Sequence, residues 1–148
     1  MIRRIHKFLK LTVADRWLLL QAFFLLAVIQ LGLYALPFLK VRRLLDRCVT
    51  MPKVLPWLQR PAAERIPWAI QVARDYLTDA TCLPQALATH FLLRRNGYPA
   101  DLKIGAAKNA QGTLEAHAWV VSEQKIVIGA LRDLDRYVPL STANQQRS

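Results

Sequence analysis

Cysteine is scarce in this chain: only Cys48 and Cys82 occur among 148 residues, 34 positions apart. No C-x-x-C pair and no cluster of histidine with cysteine accompanies them, so the ligand spacing of a structural zinc site is missing. We therefore expect no bound metal, and no cofactor. Two free thiols are typical of a reducing compartment, although the sequence leaves a disulfide between them open.

Acidic residues are also few: Asp and Glu total 10 against 21 Lys and Arg, which gives a net charge of +11. Such a basic chain first suggests a polyanionic partner, either nucleic acid or a lipid surface. The charge is uneven, however, because residues 1–74 have a net charge of +10 and residues 75–148 only +1. The basic half has neither aromatic residues interleaved with basic ones nor a nucleic-acid-binding motif, so we expect no nucleic acid partner.

Apolar residues are abundant, at 53% of the chain, which excludes a disordered basic tail. The length suits one sizeable core and not two independent domains. We therefore divide the chain into a basic, Leu-rich helical region at residues 1–60 and a compact core at residues 61–148.

Residues 17–39 form a run of 23 residues without a charged side chain. The run is long enough to cross a bilayer as a helix, but Gln21 and Gln30 lie inside it and Pro37 should end the regular helix. Basic residues flank it on both sides, so the positive-inside rule gives no orientation. Three interpretations stay open: a membrane span, a helix on a membrane surface, or a helix buried by the protein and its partners.

The second half of the chain predicts two helices. Residues 67–77 have apolar positions at helical spacing. A second helix begins near Cys82, because Pro84 fits only in a first turn, and Asn96-Gly97 supplies a left-handed stop. Residues 78–81 offer side-chain oxygens that could cap its N-terminus. Cys82 is therefore placed at the positive end of a helix.

After this helix the apolar period changes from 3.6 to 2, which predicts antiparallel strands at residues 100–106, 114–121 and 126–128. His117 lies on the second strand. A helix N-terminus and a neighbouring histidine both lower the pKa of a thiol, and free N–H groups in the first turn can hold an oxyanion. Either residue alone is more often structural, but together they predict a Cys82 nucleophile with His117 as general base and then acid.

Four stretches carry a resemblance to a known family: residues 82–88, 92–105, 116–120 and 127–129. They resemble the leader peptidase of lasso-peptide biosynthesis, the stand-alone, transglutaminase-like form of the microcin-processing B protein. Residues 15–20 are similar to the N-terminal helices of that family. The resemblance implies an α+β fold, in which N-terminal helices precede a papain/transglutaminase-like core whose cysteine begins a helix packed on a small antiparallel sheet.

The resemblance also implies a function: a cysteine peptidase that removes the leader from a ribosomally made precursor before macrocyclisation, with Cys82 and His117 as its catalytic pair. It implies three partners, namely the leader region of the precursor, a separate leader-recognition protein and an ATP-dependent macrocyclase. The expected location is the bacterial cytoplasm, with membrane contact through residues 17–39 left open. Two alternatives stay open: a membrane-associated scaffold with a vestigial Cys–His pair, and acyl transfer to an amine.

The residue that orients His117 is harder to predict. Folds of this kind usually place an Asp or Asn on the next strand, but residues 126–129 contain no carboxylate. Asp133 and Asp135 follow and are the candidates for this third position. Glu115 shares the face of His117 but neighbours it along the same strand, and a backbone carbonyl is a further alternative.

Overall fold

The computed structural model describes residues 6–7, 9–51, 60–77 and 80–140. Within them, helices come first and strands follow. The helices are α1 (Val13–Ala35), α2 (Phe38–Val49), α3 (Arg65–Arg74) and α4 (Cys82–Arg95). The strands are β1 (Asp101–Lys108), β2 (Leu114–Ser122), β3 (Lys125–Ile128) and β4 (Val138–Pro139), with a short 3-10 turn at Leu134–Arg136. The predicted α+β class is confirmed.

Helix α1 contains most of the uncharged run and supplies one wall of the core. The Thr12 hydroxyl accepts a hydrogen bond from the Asp15 N–H at 3.2 Å, which caps the helix at its start. The helix ends before Pro37, as predicted. Its inner face packs on α3 and α4 through side chains that are almost completely buried, such as Leu26 and Ile29.

The outer face of α1 is apolar too, but it is exposed. By length and composition α1 is long enough and apolar enough to cross a membrane, and 28% of its most apolar window is buried inside the molecule. One face of the helix therefore belongs to the core, while the other has no cover among the described residues.

Helix α4 is the central helix, since it contacts α1, α2 and α3 as well as the sheet. Its end follows the prediction: Gly97 adopts a left-handed φ of 81°, and the Tyr98 N–H donates to the Leu93 carbonyl at 2.9 Å. It begins at Cys82, as predicted. Thr81 occupies the N-cap position without a side-chain hydrogen bond, and residues 78 and 79 lie outside the described residues.

The four strands form one antiparallel sheet in the order β3-β2-β1-β4. The three predicted strands correspond to β1, β2 and β3, whereas β4 was not predicted. It has only two residues, which is too short for an alternating pattern, and it pairs with Gly105 and Ala106 of β1. The predicted helix at residues 67–77 begins and ends earlier, as α3.

Candidate active site

The two predicted catalytic side chains lie in the same cavity. Cys82 is the first residue of α4, and His117 comes from β2, the strand that packs against that helix. Both line a cavity of about 740 Å³, bounded also by α3 and by the segment after β3. Both are partly buried, and no hydrogen bond joins them among the described contacts. The structure thus brings together residues that are 35 positions apart in the sequence.

The N-terminus of α4 provides a positive environment for the Cys82 thiol. The N–H groups of a first helical turn have no partner within the helix, and the helix dipole adds partial positive charge there. Thr81 gives this end no side-chain cap. The first turn therefore has donors that can stabilise a thiolate or an oxyanion.

A buried glutamine one turn further along holds the segment that precedes Cys82. The Gln85 amide donates from Nε2 to the Ala80 carbonyl at 2.7 Å and to the Thr81 carbonyl at 3.0 Å. Gln85 lines the cavity and is 8% exposed. The sequence reasoning missed this residue. The available signal was a glutamine among alanine and leucine, three positions after a cysteine at a helix start.

The His117 ring is oriented by a backbone carbonyl. Its Nε2 lies 2.7 Å from the Gly129 oxygen. Because a carbonyl can only accept, Nε2 carries the hydrogen, and in the neutral ring Nδ1 then holds the free lone pair. The rings of Trp119 and Tyr137 lie beside the imidazole, with centroid distances of 6.1 and 5.6 Å. The ring is therefore held with Nδ1 available as a base.

Gly129 reaches this position because it has no side chain. Its φ is 81°, and a Cβ there would lie 2.6 Å from the Ala118 carbonyl oxygen and 2.9 Å from the Trp119 Cα. A larger residue would push the chain away from β2. Because residue 129 lies so close to β2, its carbonyl oxygen is within hydrogen-bond distance of His117.

The carboxylates considered for this role are engaged or lie elsewhere. Asp133 forms an ion pair with Arg136 at 2.7 Å, and neither Asp133 nor Asp135 lines the cavity. Glu115 accepts a hydrogen bond from Asn109 at 3.2 Å. Within the described ranges, no group of three or more His, Cys, Asp or Glu side chains is arranged to hold a metal ion.

One wall of the cavity is tied to the N-terminal helix. Trp68 of α3 lines the cavity, and the Arg65 guanidinium carbon lies 3.9 Å from the centroid of the Trp68 ring. Arg65 also forms an ion pair with Asp15 of α1 at 2.9 Å. Helix α1 therefore helps to fix the wall of the cavity that α3 forms.

Comparison with known proteins gives one match. Residues 28–142, more than three quarters of the chain, match the family model of the transglutaminase-like superfamily. No curated protein and no solved structure matches the chain significantly. The matched range includes both Cys82 and His117 and runs from the middle of α1 past β4. The chain therefore belongs to the transglutaminase-like superfamily.

Proposed function

We propose that this protein is a cysteine peptidase that removes the leader from a ribosomally made lasso-peptide precursor before macrocyclisation. Domains of the transglutaminase-like superfamily are generally enzymatic, acting as cysteine proteases or transglutaminases. The observation that carries the proposal is the shared cavity, which has Cys82 at a helix N-terminus and His117 held by Gly129. The choice of a lasso precursor is supported by the sequence resemblance around these residues.

The reaction uses the chain's own groups. His117 Nδ1 takes the proton from Cys82, and the thiolate sulfur attacks the scissile carbonyl carbon, forming a C–S bond. First-turn N–H groups of α4 hold the resulting oxyanion. Collapse breaks the C–N bond, and the imidazolium protonates the leaving amine. Water, deprotonated by His117, then attacks the thioester and releases the leader carboxylate and the thiol.

The partners follow from this role. The substrate is the leader region of the precursor, presented by a separate leader-recognition protein. The freed amine is the group that an ATP-dependent macrocyclase consumes. The location that suits this chemistry is the bacterial cytoplasm, where Cys48 and Cys82 remain free thiols, as they are in the structure.

Acyl transfer is the second candidate, because members of the superfamily carry out both reactions. Hydrolysis and transfer share the acyl-enzyme intermediate and differ only in whether water or an amine attacks it. Mass spectrometry of the released leader separates them, since hydrolysis leaves a free carboxylate and transfer leaves an amide of the acceptor.

A reconstituted assay with precursor and recognition protein tests the proposal. Cys82→Ala should abolish leader cleavage, whereas Cys48→Ala, which removes the other thiol on α2, should cleave normally. Cleavage that survives the loss of Cys82 would overturn the proposal.

Iodoacetamide labelling at neutral pH adds a readout that needs no substrate. Cys82 should be alkylated faster than Cys48 in the same molecule, and His117→Ala should slow only the Cys82 reaction. Equal, slow labelling of both thiols that is indifferent to His117 would instead indicate a scaffold with a vestigial pair.

A further inference from the structure

The outer face of α1 is an exposed apolar surface that the proposed chemistry does not use. We define this outer face by six side chains at helical spacing: Trp17, Leu20, Phe24, Val28, Leu31 and Tyr34. Phe24 is 71% exposed, Leu31 68% and Tyr34 77%. The helix rises about 26 Å from Trp17 to Tyr34, so the face forms a continuous apolar strip of that length. Soluble monomers rarely leave such a strip uncovered.

Both ends of this strip carry exposed basic side chains. Lys7 and Lys10 precede α1, and Lys40, Arg43 and Arg47 follow it on α2. The nearby carboxylates are already paired with arginines of α3 and α4, since Asp15 pairs with Arg65 and Asp46 pairs with Arg94, each at 2.9 Å. The surface around the outer face therefore has an excess of positive charge.

The composition of the outer face matches a helix that lies at a lipid interface. Trp17, Phe24 and Tyr34 share this face with exposed aliphatic side chains, while the opposite face packs on the core. Aromatic and aliphatic side chains along one face, with basic residues nearby, are typical of helices that lie in the plane of a membrane surface. Lysine is depleted at protein interfaces but is attracted to anionic headgroups, which favours lipid over a protein as the partner.

The inner face decides how the helix can meet a bilayer. Ala22, Leu26 and Ile29 are at most 1% exposed because they pack against α3 and α4. A helix attached to the core along one side meets a bilayer lengthwise, with its outer face at the acyl boundary. We propose that the outer face of α1 binds the surface of an anionic bilayer, with the helix in the membrane plane and the flanking Lys and Arg on headgroup phosphates.

Vesicle sedimentation with the full chain tests this. The protein should bind vesicles of phosphatidylcholine mixed equally with phosphatidylglycerol, bind phosphatidylcholine alone much more weakly, and release as salt is raised. Leu31→Glu should weaken binding about tenfold or more, because it places a charge in the apolar strip. Leu114→Glu is the matched control, since Leu114 is also 68% exposed but begins β2, and it should bind like the parent.

The basic residues have a separate readout. Lys40→Glu combined with Arg43→Glu should remove the preference for phosphatidylglycerol and the salt dependence. Sedimentation velocity without lipid shows whether a second copy covers the face instead. A dimer that Leu31→Glu dissociates, no binding to the anionic vesicles at low salt, or equal loss in Leu31→Glu and Leu114→Glu would each overturn the proposal. None of these measurements depends on peptidase activity.

Discussion

His117 donates its hydrogen bond to the backbone carbonyl of Gly129, where folds of this kind usually have a side-chain acceptor. A carboxylate in this position both orients the imidazole and stabilises its positive charge by a full negative charge. The Gly129 oxygen, 2.7 Å away, fixes the ring and its tautomer but offers only a dipole. The Gly129 carbonyl therefore occupies the position of the orienting group, as in the predicted alternative of a backbone carbonyl, and neither Asp133 nor Asp135 lines the cavity.

Replacing Gly129 tests that role. In Gly129→Ala the new Cβ meets the Ala118 oxygen and the Trp119 Cα, so the chain must move and the bond to His117 is lost. Misplacement of a catalytic group by about 1 Å can cost 10²-fold in rate, so we expect kcat for leader cleavage to fall by about that factor with a smaller change in KM.

Gly112→Ala is the control for the Gly129 experiment. Its φ is 78°, close to that of Gly129, but a Cβ there meets nothing within 4 Å. It introduces a similar backbone strain and should leave cleavage unchanged. The orienting role of Gly129 is wrong if both variants lose the same activity, or if neither loses any.

At the level of elements, the start of α4 depends on a side chain within the helix. In Gln85→Glu the side chain keeps its size but can no longer donate to the Ala80 and Thr81 carbonyls. Leaving buried groups unsatisfied costs about 1–3 kcal/mol, so the first turn should fray and the melting temperature should fall.

The readout specific to the active site is the alkylation rate of Cys82 relative to Cys48 in the same molecule. We expect Gln85→Glu to slow Cys82 and leave Cys48 unchanged, because only Cys82 depends on the first turn of α4. Gln85→Leu should also slow the alkylation of Cys82 and leave that of Cys48 unchanged, since leucine has no donor either. Parent-like labelling of Cys82 in both variants would show that Gln85 only fills space.

Sequence reasoning succeeded where local chemistry decides the structure. Pro84 and the Asn96-Gly97 stop are enough to predict both ends of α4, and the change of period predicts β1, β2 and β3. It missed features that depend on distant parts of the chain. A backbone carbonyl is among the predicted acceptors for His117, but identifying Gly129 requires knowing how closely residue 129 approaches β2. Likewise, both faces of α1 are apolar, so periodicity could not show which of them would be buried.

At the scale of the whole molecule, α4 links the site to the core. It contacts the three other helices and the sheet, and its first residue is the proposed nucleophile. A change that destabilises the centre of α4 should therefore lower the stability of the fold and also disturb the position of Cys82. His90 lies in this central stretch, 9% exposed, and its side chain is the buried titratable group of α4.

His90 should make the folded state sensitive to acid. Burial, assisted by the charge of Arg94, lowers the pKa of its imidazole from 6.5 to about 4; Arg42 acts in the same direction, and Asp46 and Asp101 oppose it. Between those pH values the unfolded chain binds the proton more readily, so stability falls as the pH drops below 6.5 and is unaffected above it. The loss approaches roughly 3 kcal/mol near pH 4.

Urea unfolding at a series of pH values measures this loss. His90→Gln lacks the titrating group, so its unfolding free energy should depend less on pH, and the difference from the parent should shrink between pH 6.5 and 4. Exposed His6 provides the comparison, since His6→Gln should keep the parent's slope. If the unfolding free energies of the parent and of His90→Gln change equally with pH, a group other than His90 causes the loss of stability in acid.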